Sequence, residues 1–445
     1  MVVIKEIEAA ATPWSAASSF MESSQPTVFF EQQVEEGGAL AYSILLHDPT
    51  CWMREVNGRF VEGPGGEEID DPIAWMKAHH EPHDYRGPLP FVGGLAGYLD
   101  FEFGWILDDI NGPLRRSATP RAFVGVFPEA AIYDHLSRTW SVVSSGKGPS
   151  KLEERIRDVG DAVRFSSENS FGERKAEPSA QSYQKGVMDA IDAIYEGEFF
   201  EVNYTERFQG EWKGDRRALY DRLRRTAPGE YGGLVDIDGA FIASVSPEQF
   251  LAVDAVGRVS SRPIKGTRPR GQTAQEDDEM ARLLLASEKD RAENVMIVDL
   301  MRNDLTRVCE AGTVEVTELC GLYSFSSVHH LVSTIEGQLA DEFSALDAFL
   351  SGFPAGSITG APKVRAMEWI SNHEATPRGP YTGSMFYWSN HGTLDSNVLI
   401  RTAVLVGDTV SYGSGGAVVA HSDPFAEYEE ALWKARPFFE VLEER

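Results

Sequence analysis

Cysteine is scarce in this chain, and its scarcity excludes one class of protein. The 445 residues include three cysteines, Cys51, Cys309 and Cys320, which is an odd number. None of them has the short spacing of a metal-binding motif. Small secreted proteins held together by disulfides carry many, usually paired, cysteines. We therefore expect a cytoplasmic protein with an apolar core, which 42% hydrophobic residues, including 24 Phe, can supply.

Long apolar runs and an excess of basic charge are also missing. No window approaches the roughly 18 apolar residues of a membrane-spanning helix. The first residues, MVVIKEIEAAATPW, lack the charged and then apolar pattern of a secretory signal. The chain has 41 basic and 69 acidic residues, for a formal net charge of −28. Such a surface repels nucleic acid and anionic membranes, so we expect neither as a partner.

The chain divides into three stretches. Residues 1–150 form a β-rich half with Gly- and Pro-rich turns, residues 151–181 are a polar linker, and residues 182–445 are more regular. In the last stretch strands and helices are interleaved without a βαβ repeat. This pattern favours an α+β fold over a doubly wound sheet. We expect the two halves to form one large domain.

Lys265 is the first candidate for chemistry. It lies in the segment PIKGTRPRG, after residues 248–262, which predict two strands joined by a turn. Burial at such a turn would lower the pKa of the amine from about 10.4, and the neutral amine is a nucleophile. The alternative is a surface lysine in a basic hairpin, and this segment alone does not separate the two.

Two pairs of acids have helical spacing. Asp290 and Glu293 stand three residues apart, and so do Glu427 and Glu430. Residues three apart lie on one helix face, so two helices could present an oxygen-rich site to a hard, octahedral cation such as Mg²⁺. Acids in a first helical turn also simply complement the helix dipole, and in isolation that interpretation is the stronger one.

Three further positions are candidates for binding or catalysis. Arg401 lies in VLIRTAVLV, an otherwise apolar predicted strand, and there it needs a buried acid or an anionic ligand. Ser357 lies in the loop GSITG before a predicted helix, which suits an anion site. Of the neighbouring His329 and His330, we interpret His329 as a hydrogen-bonded core residue.

The motifs of the second half occur in a recognisable order. The chain carries, in this order, SPEQF, PIKGTRPRG, RAENVMIVDLMRNDL, HHLVS, GFPAGSITGAPKVRAME, RGPYTGSMFYWS, IRTA, GSGGAVV and HSDPFAEYEEALWKA. This order of motifs resembles that of the chorismate-utilising enzymes, a family that includes anthranilate synthase component I. Within the family, the chain most resembles component I of the aminodeoxychorismate synthases. The resemblance implies a large two-sheet β-sandwich core with helices packed outside.

The resemblance also implies a reaction. Lys265 matches a lysine that attacks C2 of chorismate with loss of the 4-hydroxyl, after which ammonia attacks C4 and expels the lysine. The product is 4-amino-4-deoxychorismate, a precursor of p-aminobenzoate and folate. Glu248 and His330 match catalytic residues that assist the proton transfers or orient the departing hydroxyl.

Metal and substrate contacts follow from the same resemblance. Glu293 and Glu430 match direct Mg²⁺ ligands, while Asp290 and Glu427 match a pair that acts through water. The family more often has Glu at the position of Asp290. The implied substrate-binding residues are Gly266, Thr267, Ser357, Tyr381, Arg401, Gly415, Gly416 and Ala417.

Several alternatives stay open. Anthranilate synthases usually have Ala where Lys265 stands, so that reaction is the second choice. Isochorismate synthases use a water-activating lysine where this chain has Glu201, which disfavours their chemistry. Aminodeoxychorismate synthases usually have Gln there, so Glu201 could be a protonated mimic of Gln, a carboxylate at the rim of the site or a sign of altered activity.

Two partners remain to be considered. The chain has no glutaminase-like Cys/His pair, so the resemblance implies ammonia from a separate glutamine amidotransferase subunit. Residues 20–23, FMES, resemble the effector-site motif of the family, which makes tryptophan a possible structural ligand. A non-catalytic homologue that binds chorismate or tryptophan is therefore a further alternative.

Overall fold

The computed structural model describes residues 2–31, 42–144, 150–163, 165, 170–171, 175–177, 179–325 and 328–443. The strands are β1 (Val3–Ile7), β2 (Thr27–Glu31), β3 (Tyr42–His47), β4 (Cys51–Val56), β5 (Arg59–Gly63), β6 (Glu67–Ile69), β7 (Gly94–Leu99), β8 (Ala122–Phe127), β9 (Glu129–Asp134), β10 (Thr139–Ser144), β11 (Ser170–Phe171), β12 (Lys175–Glu177), β13 (Glu201–Lys213), β14 (Tyr231–Ile237), β15 (Ala240–Ser246), β16 (Gln249–Val253), β17 (Arg258–Ser261), β18 (Ile264–Pro269), β19 (Glu315–Ser324), β20 (Val328–Gln338), β21 (Gly360–Ala361), β22 (Ser384–Ser389), β23 (Leu394–Asn397), β24 (Thr402–Val406) and β25 (Thr409–Val418). The α-helices are α1 (Pro13–Phe20), α2 (Pro72–Ala78), α3 (Gly104–Leu107), α4 (Lys151–Asp158), α5 (Ala180–Tyr195), α6 (Arg216–Thr226), α7 (Ala274–Leu285), α8 (Glu288–Thr306), α9 (Ala345–Gly352), α10 (Lys363–His373) and α11 (Pro424–Glu443), and two 3-10 helices span Phe101–Phe103 and Gly356–Ile358.

The strands form two large sheets. One has the order β1-β10-β9-β3-β2-β14-β15-β24-β25-β13-β11, and β12 and β21 also pair with β13. The other has the order β18-β20-β17-β16-β23-β22-β7-β8-β4-β5-β6, and β19 also pairs with β20. The helices contact strands of both sheets, as α11 does β25 and α8 does β20. The expected α+β fold with two large sheets is therefore confirmed.

Both halves of the chain contribute to both sheets. In the first sheet β2 pairs with β14, and in the second β7 pairs with β22. The predicted linker begins with α4, whose Leu152 and Ile156 are buried in the same apolar cluster as Trp140. Residues 164, 166–169, 172–174 and 178 of that linker lie outside the described residues. The boundaries at 150 and 181 stay a prediction.

The two helices that carry the predicted acid pairs begin with side-chain caps. Ser287 caps α8, and its hydroxyl accepts a hydrogen bond from the backbone N–H of Asp290. Asp423 precedes α11, and its carboxylate accepts from the N–H of Ala426 at 2.8 Å. These caps satisfy N–H groups that have no partner in the first helical turn. Among the described residues, no helix is both long and apolar enough to cross a membrane.

Candidate active site

A cavity of about 330 Å³ has walls from both sheets and from α8 and α11. Side chains or backbone from β13 and β25 of one sheet meet those from β18 and β20 of the other. Every residue that the sequence analysis predicted for the site lines this cavity, except Gly416 and Glu427. Those two lie beside it, since a Cβ added at Gly416 would be 3.0 Å from Glu427 Oε2 and 3.4 Å from Glu430 Oε1.

A β-bulge directs Lys265 into the cavity. Ile264 pairs with Val332 and Thr267 pairs with His330, so Lys265 and Gly266 together stand opposite a single residue of β20. Gly266 has φ of +91°, a left-handed conformation that glycine adopts without strain. A bulge of this kind bends the strand and changes the direction of its side chains. The Gly after the lysine is thus a requirement of the backbone, and its contact with substrate stays a prediction.

Lys265 is buried and ion-paired. Its ammonium lies 2.7 Å from Glu201 Oε1, and the Glu201 side chain is fully buried at the start of β13. Burial on its own lowers the pKa of Lys265, but the nearby carboxylates of Glu201, Glu293 and Glu248 together raise it above the ordinary value. The prediction of a lowered pKa was wrong, because it considered burial and not the paired acid. Of the three alternatives left open for Glu201, this burial excludes a carboxylate at the rim.

Glu248 lies on the cavity wall with one hydroxyl partner. The hydroxyl of Ser357, in the short helix Gly356–Ile358, donates to Glu248 Oε1 at 2.7 Å. Burial raises the pKa of Glu248 to about 7, although Ser357 and Lys265 both favour its charged form. A carboxyl group with this pKa can release or accept a proton near neutral pH. Ser357 was predicted to bind an anionic ligand, and here its hydroxyl contacts the predicted acid/base residue.

His330 is a buried, neutral base at neutral pH. Burial, together with the positive charge of Arg401, lowers its pKa to about 4. Its Nδ1 lies 2.8 Å from the hydroxyl of Thr267, which the bulge brings opposite it. This geometry suits orientation of a ligand better than donation from a charged imidazolium. The neighbouring His329 is bound to Ser324 and Asp277 and faces away from the cavity wall, as a core histidine would.

Arg401 supplies positive charge at another part of the cavity. It lies one residue before β24, with φ of +49°, and not inside the predicted strand. No carboxylate among the described residues forms an ion pair with its guanidinium, and burial lowers its pKa while Tyr412 opposes that shift. A buried guanidinium without an acid partner is a site for an anionic ligand. Tyr381 and the backbone of Gly415 and Ala417 line the same cavity.

Two lysines, Lys289 and Lys434, lie beside the predicted metal ligands. Lys289 Nζ lies 3.8 Å from Glu293 Oε1 and 3.6 Å from Glu427 Oε1. Lys434 Nζ lies 2.7 Å from Glu430 Oε1. The donor set of carboxylate oxygens is the one that Mg²⁺ prefers.

Two observations support a cation site here, and one does not. Glu293 Oε1 is buried and has no hydrogen-bond partner among the described residues. Glycine at 416 leaves room for the carboxylates of Glu427 and Glu430, which a side chain would crowd. Asp290 is different, because its Oδ2 accepts from Arg268 at 2.9 Å. Glu293, Glu427 and Glu430 therefore fit a Mg²⁺ site, and the roles of Asp290 and Glu427 through water stay a prediction.

Some residues of the cavity were missed by the sequence analysis. Lys289 and Lys434 line the cavity and were not considered. Glu201, noticed as unusual but not assigned to the site, does not line the cavity but pairs with Lys265. Both lysines stand four residues from a predicted metal ligand on the same helix, Lys289 before Glu293 and Lys434 after Glu430. That spacing places two side chains on one face and could have indicated them.

Comparison with known proteins identifies the family. Residues 44–440 match the model of the chorismate binding enzymes. The chain belongs to this family. The resemblance found in the sequence is thereby confirmed, and the protein is a member of a family of chorismate-utilising enzymes.

Individual relatives do not separate the members of the family. An aminodeoxychorismate synthase from Streptomyces griseus is 37% identical over 372 residues, which cover 80% of this chain and 51% of that protein. Component 1 of anthranilate synthase from Thermus thermophilus is 35% identical over 442 residues, 97% of this chain and 95% of the relative. Component 1 of aminodeoxychorismate synthase from Escherichia coli is 33% identical over 413 residues, 90% of each chain. The chain thus spans about half the length of the Streptomyces relative and nearly all of the other two.

Solved structures agree on the fold. Anthranilate synthase component I from Streptococcus pneumoniae superposes with a TM-score of 0.78 at 29% identity, over 91% of this chain and 93% of that one. The menaquinone-specific isochorismate synthase of Escherichia coli superposes with a TM-score of 0.76 at 16% identity, over 100% and 94%. The second likeness concerns the fold alone.

Proposed function

We propose that this protein is component I of an aminodeoxychorismate synthase, which converts chorismate and ammonia into 4-amino-4-deoxychorismate. The observation that carries the proposal is the amine of Lys265, which a bulge directs into the cavity. Anthranilate synthases usually have Ala at this position, and an alanine offers no nucleophile. The other polar groups of the cavity are compatible with several members of the family.

Substrate binding follows from charge. Chorismate carries two carboxylates, and the protein as a whole carries a net charge of −28. Arg401, a buried cation without an acid partner, is the residue we assign to one substrate carboxylate. Bound Mg²⁺, held directly by Glu293 and Glu430 and through water by Asp290 and Glu427, would offset the charge of the other.

The first chemical step needs a neutral amine. Lys265 is charged in its pair with Glu201, so it must first transfer a proton, and Glu201 Oε1 at 2.7 Å is the nearest acceptor. The neutral Nζ then forms a bond to C2 of the ring. The ring double bonds shift, and the bond between C4 and its hydroxyl breaks. Glu248, whose pKa of about 7 keeps much of it protonated at neutral pH, donates the proton that lets the hydroxyl leave as water.

The second step restores the lysine. Ammonia forms a bond to C4, the double bonds shift back, and the bond between C2 and the protonated Nζ breaks. The new ammonium group returns a proton to Glu248, and Glu201 returns one to the released lysine. The overall change is the replacement of a hydroxyl by an amino group, with one water released. His330, neutral with a pKa of about 4 and hydrogen-bonded to Thr267, orients the hydroxyl end of the ring. A separate glutamine amidotransferase subunit is the proposed source of ammonia, and free ammonium replaces it in the assay below.

The test is an analysis of products. The purified protein is incubated with chorismate, Mg²⁺ and ammonium, and the products are separated and identified by mass spectrometry. We expect 4-amino-4-deoxychorismate without release of pyruvate. Without ammonium, intact-protein mass spectrometry should show an adduct with the mass of chorismate less one water, mapped to Lys265. Isochorismate formed without ammonium would contradict the proposal.

Anthranilate synthase component I is the second candidate. It is favoured by one observation, the 35% identity to the Thermus thermophilus component over 95% of that protein. Fluorescent anthranilate together with pyruvate in the same assay would establish it instead. Detection of either activity would contradict the hypothesis that the protein is a non-catalytic homologue.

Tryptophan stays a proposed structural ligand. Phe20 and Met21 of the motif at 20–23 are buried, and Glu22 is paired with Arg217 at 2.9 Å. Tryptophan that raises the Tm but leaves turnover unchanged would support this assignment. An unchanged Tm at saturating tryptophan would contradict it.

A further inference from the structure

Cys51, Glu62 and His79 come together on the second sheet, and none of them lines the chorismate cavity. One possible ligand atom from each, Sγ, a carboxylate oxygen and a ring nitrogen, lies within 4.8 Å of the other two. Glu62 of β5 stands opposite Met53 of β4, and Cys51 is two residues before Met53, so both side chains are on one face of the sheet. His79 caps the C-terminus of α2.

Trp75 orients two of these three side chains. Its carbonyl oxygen lies 2.9 Å from His79 Nδ1, and a carbonyl can only accept, so Nδ1 carries the proton. The other nitrogen, Nε2, keeps its lone pair in the neutral ring and lies 3.9 Å from Glu62 Oε2. The indole N–H of Trp75 donates to that same carboxylate oxygen. The two rings stack with centroids 4.1 Å apart, which holds the imidazole in place.

This arrangement has the features of a metal-binding site. Metal-binding histidines commonly donate their second N–H to a carbonyl, which fixes the tautomer, and metal-binding carboxylates are themselves hydrogen-bonded. Thiolate, imidazole and carboxylate are together the ligands of zinc, at bond lengths of about 2.0–2.3 Å. Ligand atoms at those lengths lie somewhat closer together than 4.8 Å, so small side-chain rotations would complete the site.

Charge and access favour an ion as well. Among the described residues no lysine or arginine forms an ion pair with Glu62, and the ionisable side chain within 4.0 Å of its carboxylate is His79. A thiolate and a carboxylate would balance a divalent cation. The side chains of His79 and Glu62 are 29% and 35% exposed, so solvent reaches the group. Three protein ligands leave one position of a tetrahedral ion open to water.

We propose that Cys51, Glu62 and His79 bind one Zn²⁺, separate from the cation site of the chorismate cavity. The sequence analysis found no metal-ligand spacing around the cysteines, because these ligands are far apart in the chain. The sheet register and the docking of α2 bring them together.

The test uses the intact protein with saturating Mg²⁺ present, so that the acidic site in the cavity is filled. Co²⁺ is titrated first, because only a cysteine ligand gives the near-ultraviolet thiolate-to-metal absorption band. Zn²⁺ affinity is then measured by competition with a chelator. The variants are Cys51→Ser, Glu62→Gln, His79→Ala and Trp75→Phe, with His83→Ala as the control histidine. Circular dichroism without metal checks that each variant is folded.

We expect one Zn²⁺ per chain, a Co²⁺–thiolate band that Cys51→Ser abolishes, and an affinity loss of about 100-fold for His79→Ala. Trp75→Phe keeps all three ligands and should weaken binding by about 10–100-fold, the usual effect of losing such a partner. Zn²⁺ should raise the Tm of the wild type and not that of Cys51→Ser. Absence of the band in the wild type, or affinities unchanged in Glu62→Gln and His79→Ala, would overturn the proposal. Product formation from chorismate plays no part in these readouts.

Discussion

Two buried lysines of this protein have the same exposure but different surroundings. Lys265 and Lys363 are each 8% exposed, and each is paired with a buried acid. Lys363 donates to Asp304 at 2.8 Å and also to the carbonyl of Gly352, and it does not line the cavity. Lys265 has Glu201 as its hydrogen-bond partner among the described residues, and it faces the cavity.

The difference separates structural from chemical roles. An ammonium has three N–H donors, and leaving them unsatisfied in a protein interior is costly. Lys363 joins α8, the end of α9 and α10, so its contacts hold helices together. Lys265 retains donor capacity toward a space that a substrate can fill. Burial alone would not have distinguished the two residues.

The largest expected effect is on catalysis at Lys265. Lys265→Ala removes the proposed nucleophile, so formation of the amino product should fall by roughly 10⁴-fold or more, as when other covalent nucleophiles are removed. Product is measured by mass spectrometry at saturating chorismate and ammonium. Lys185→Ala, on the exposed face of α5, is the control. An undiminished rate of the same amino product would exclude the covalent mechanism.

The next effect is on stability at Lys363. Lys363→Ala leaves the buried carboxylate of Asp304 with Arg307, at 3.3 Å, as its remaining ion partner, and breaking a buried ion pair in this way costs up to about 3–5 kcal/mol. The free energy of unfolding is measured by urea denaturation. Lys265→Ala should cost less, because water can enter the enlarged cavity beside Glu201. If the two variants are equally destabilised, the proposed difference in surroundings is wrong.

The smallest effect concerns the charge of Glu201. Its carboxylate helps to raise the pKa of Lys265, and Glu201→Gln removes that charge but keeps an oxygen acceptor. The pKa of Lys265 should then fall, so the neutral amine forms at lower pH, with its proton passing to solvent in place of Glu201. The acid limb of the pH profile of kcat/KM should move to lower pH. Glu196→Gln, at an exposed position, serves as the control. If the acid limb of Glu201→Gln does not move, the ion pair with Glu201 does not set the pKa of Lys265.

Much of the site could be predicted from motifs. Lys265, Glu248, His330 and Arg401 were named from local segments and a resemblance, and all of them line one cavity. The two-sheet fold could be anticipated for the same reason, since the order of the motifs reflects a whole family. The charge state of the lysine could not be predicted. Its acid partner, Glu201, lies 64 residues away in the chain.

The chain by itself determined the residue types of the site, the family and the acid spacing on two helices, because these depend on local order along the backbone. Only the tertiary structure decided which groups share a space. The bulge beside Gly266, the pairing of Lys265 with Glu201 and the meeting of Cys51, Glu62 and His79 all depend on strand register and helix docking. Electrostatic effects fall with distance in space and not with separation in sequence, so the sign of a pKa shift follows from the fold.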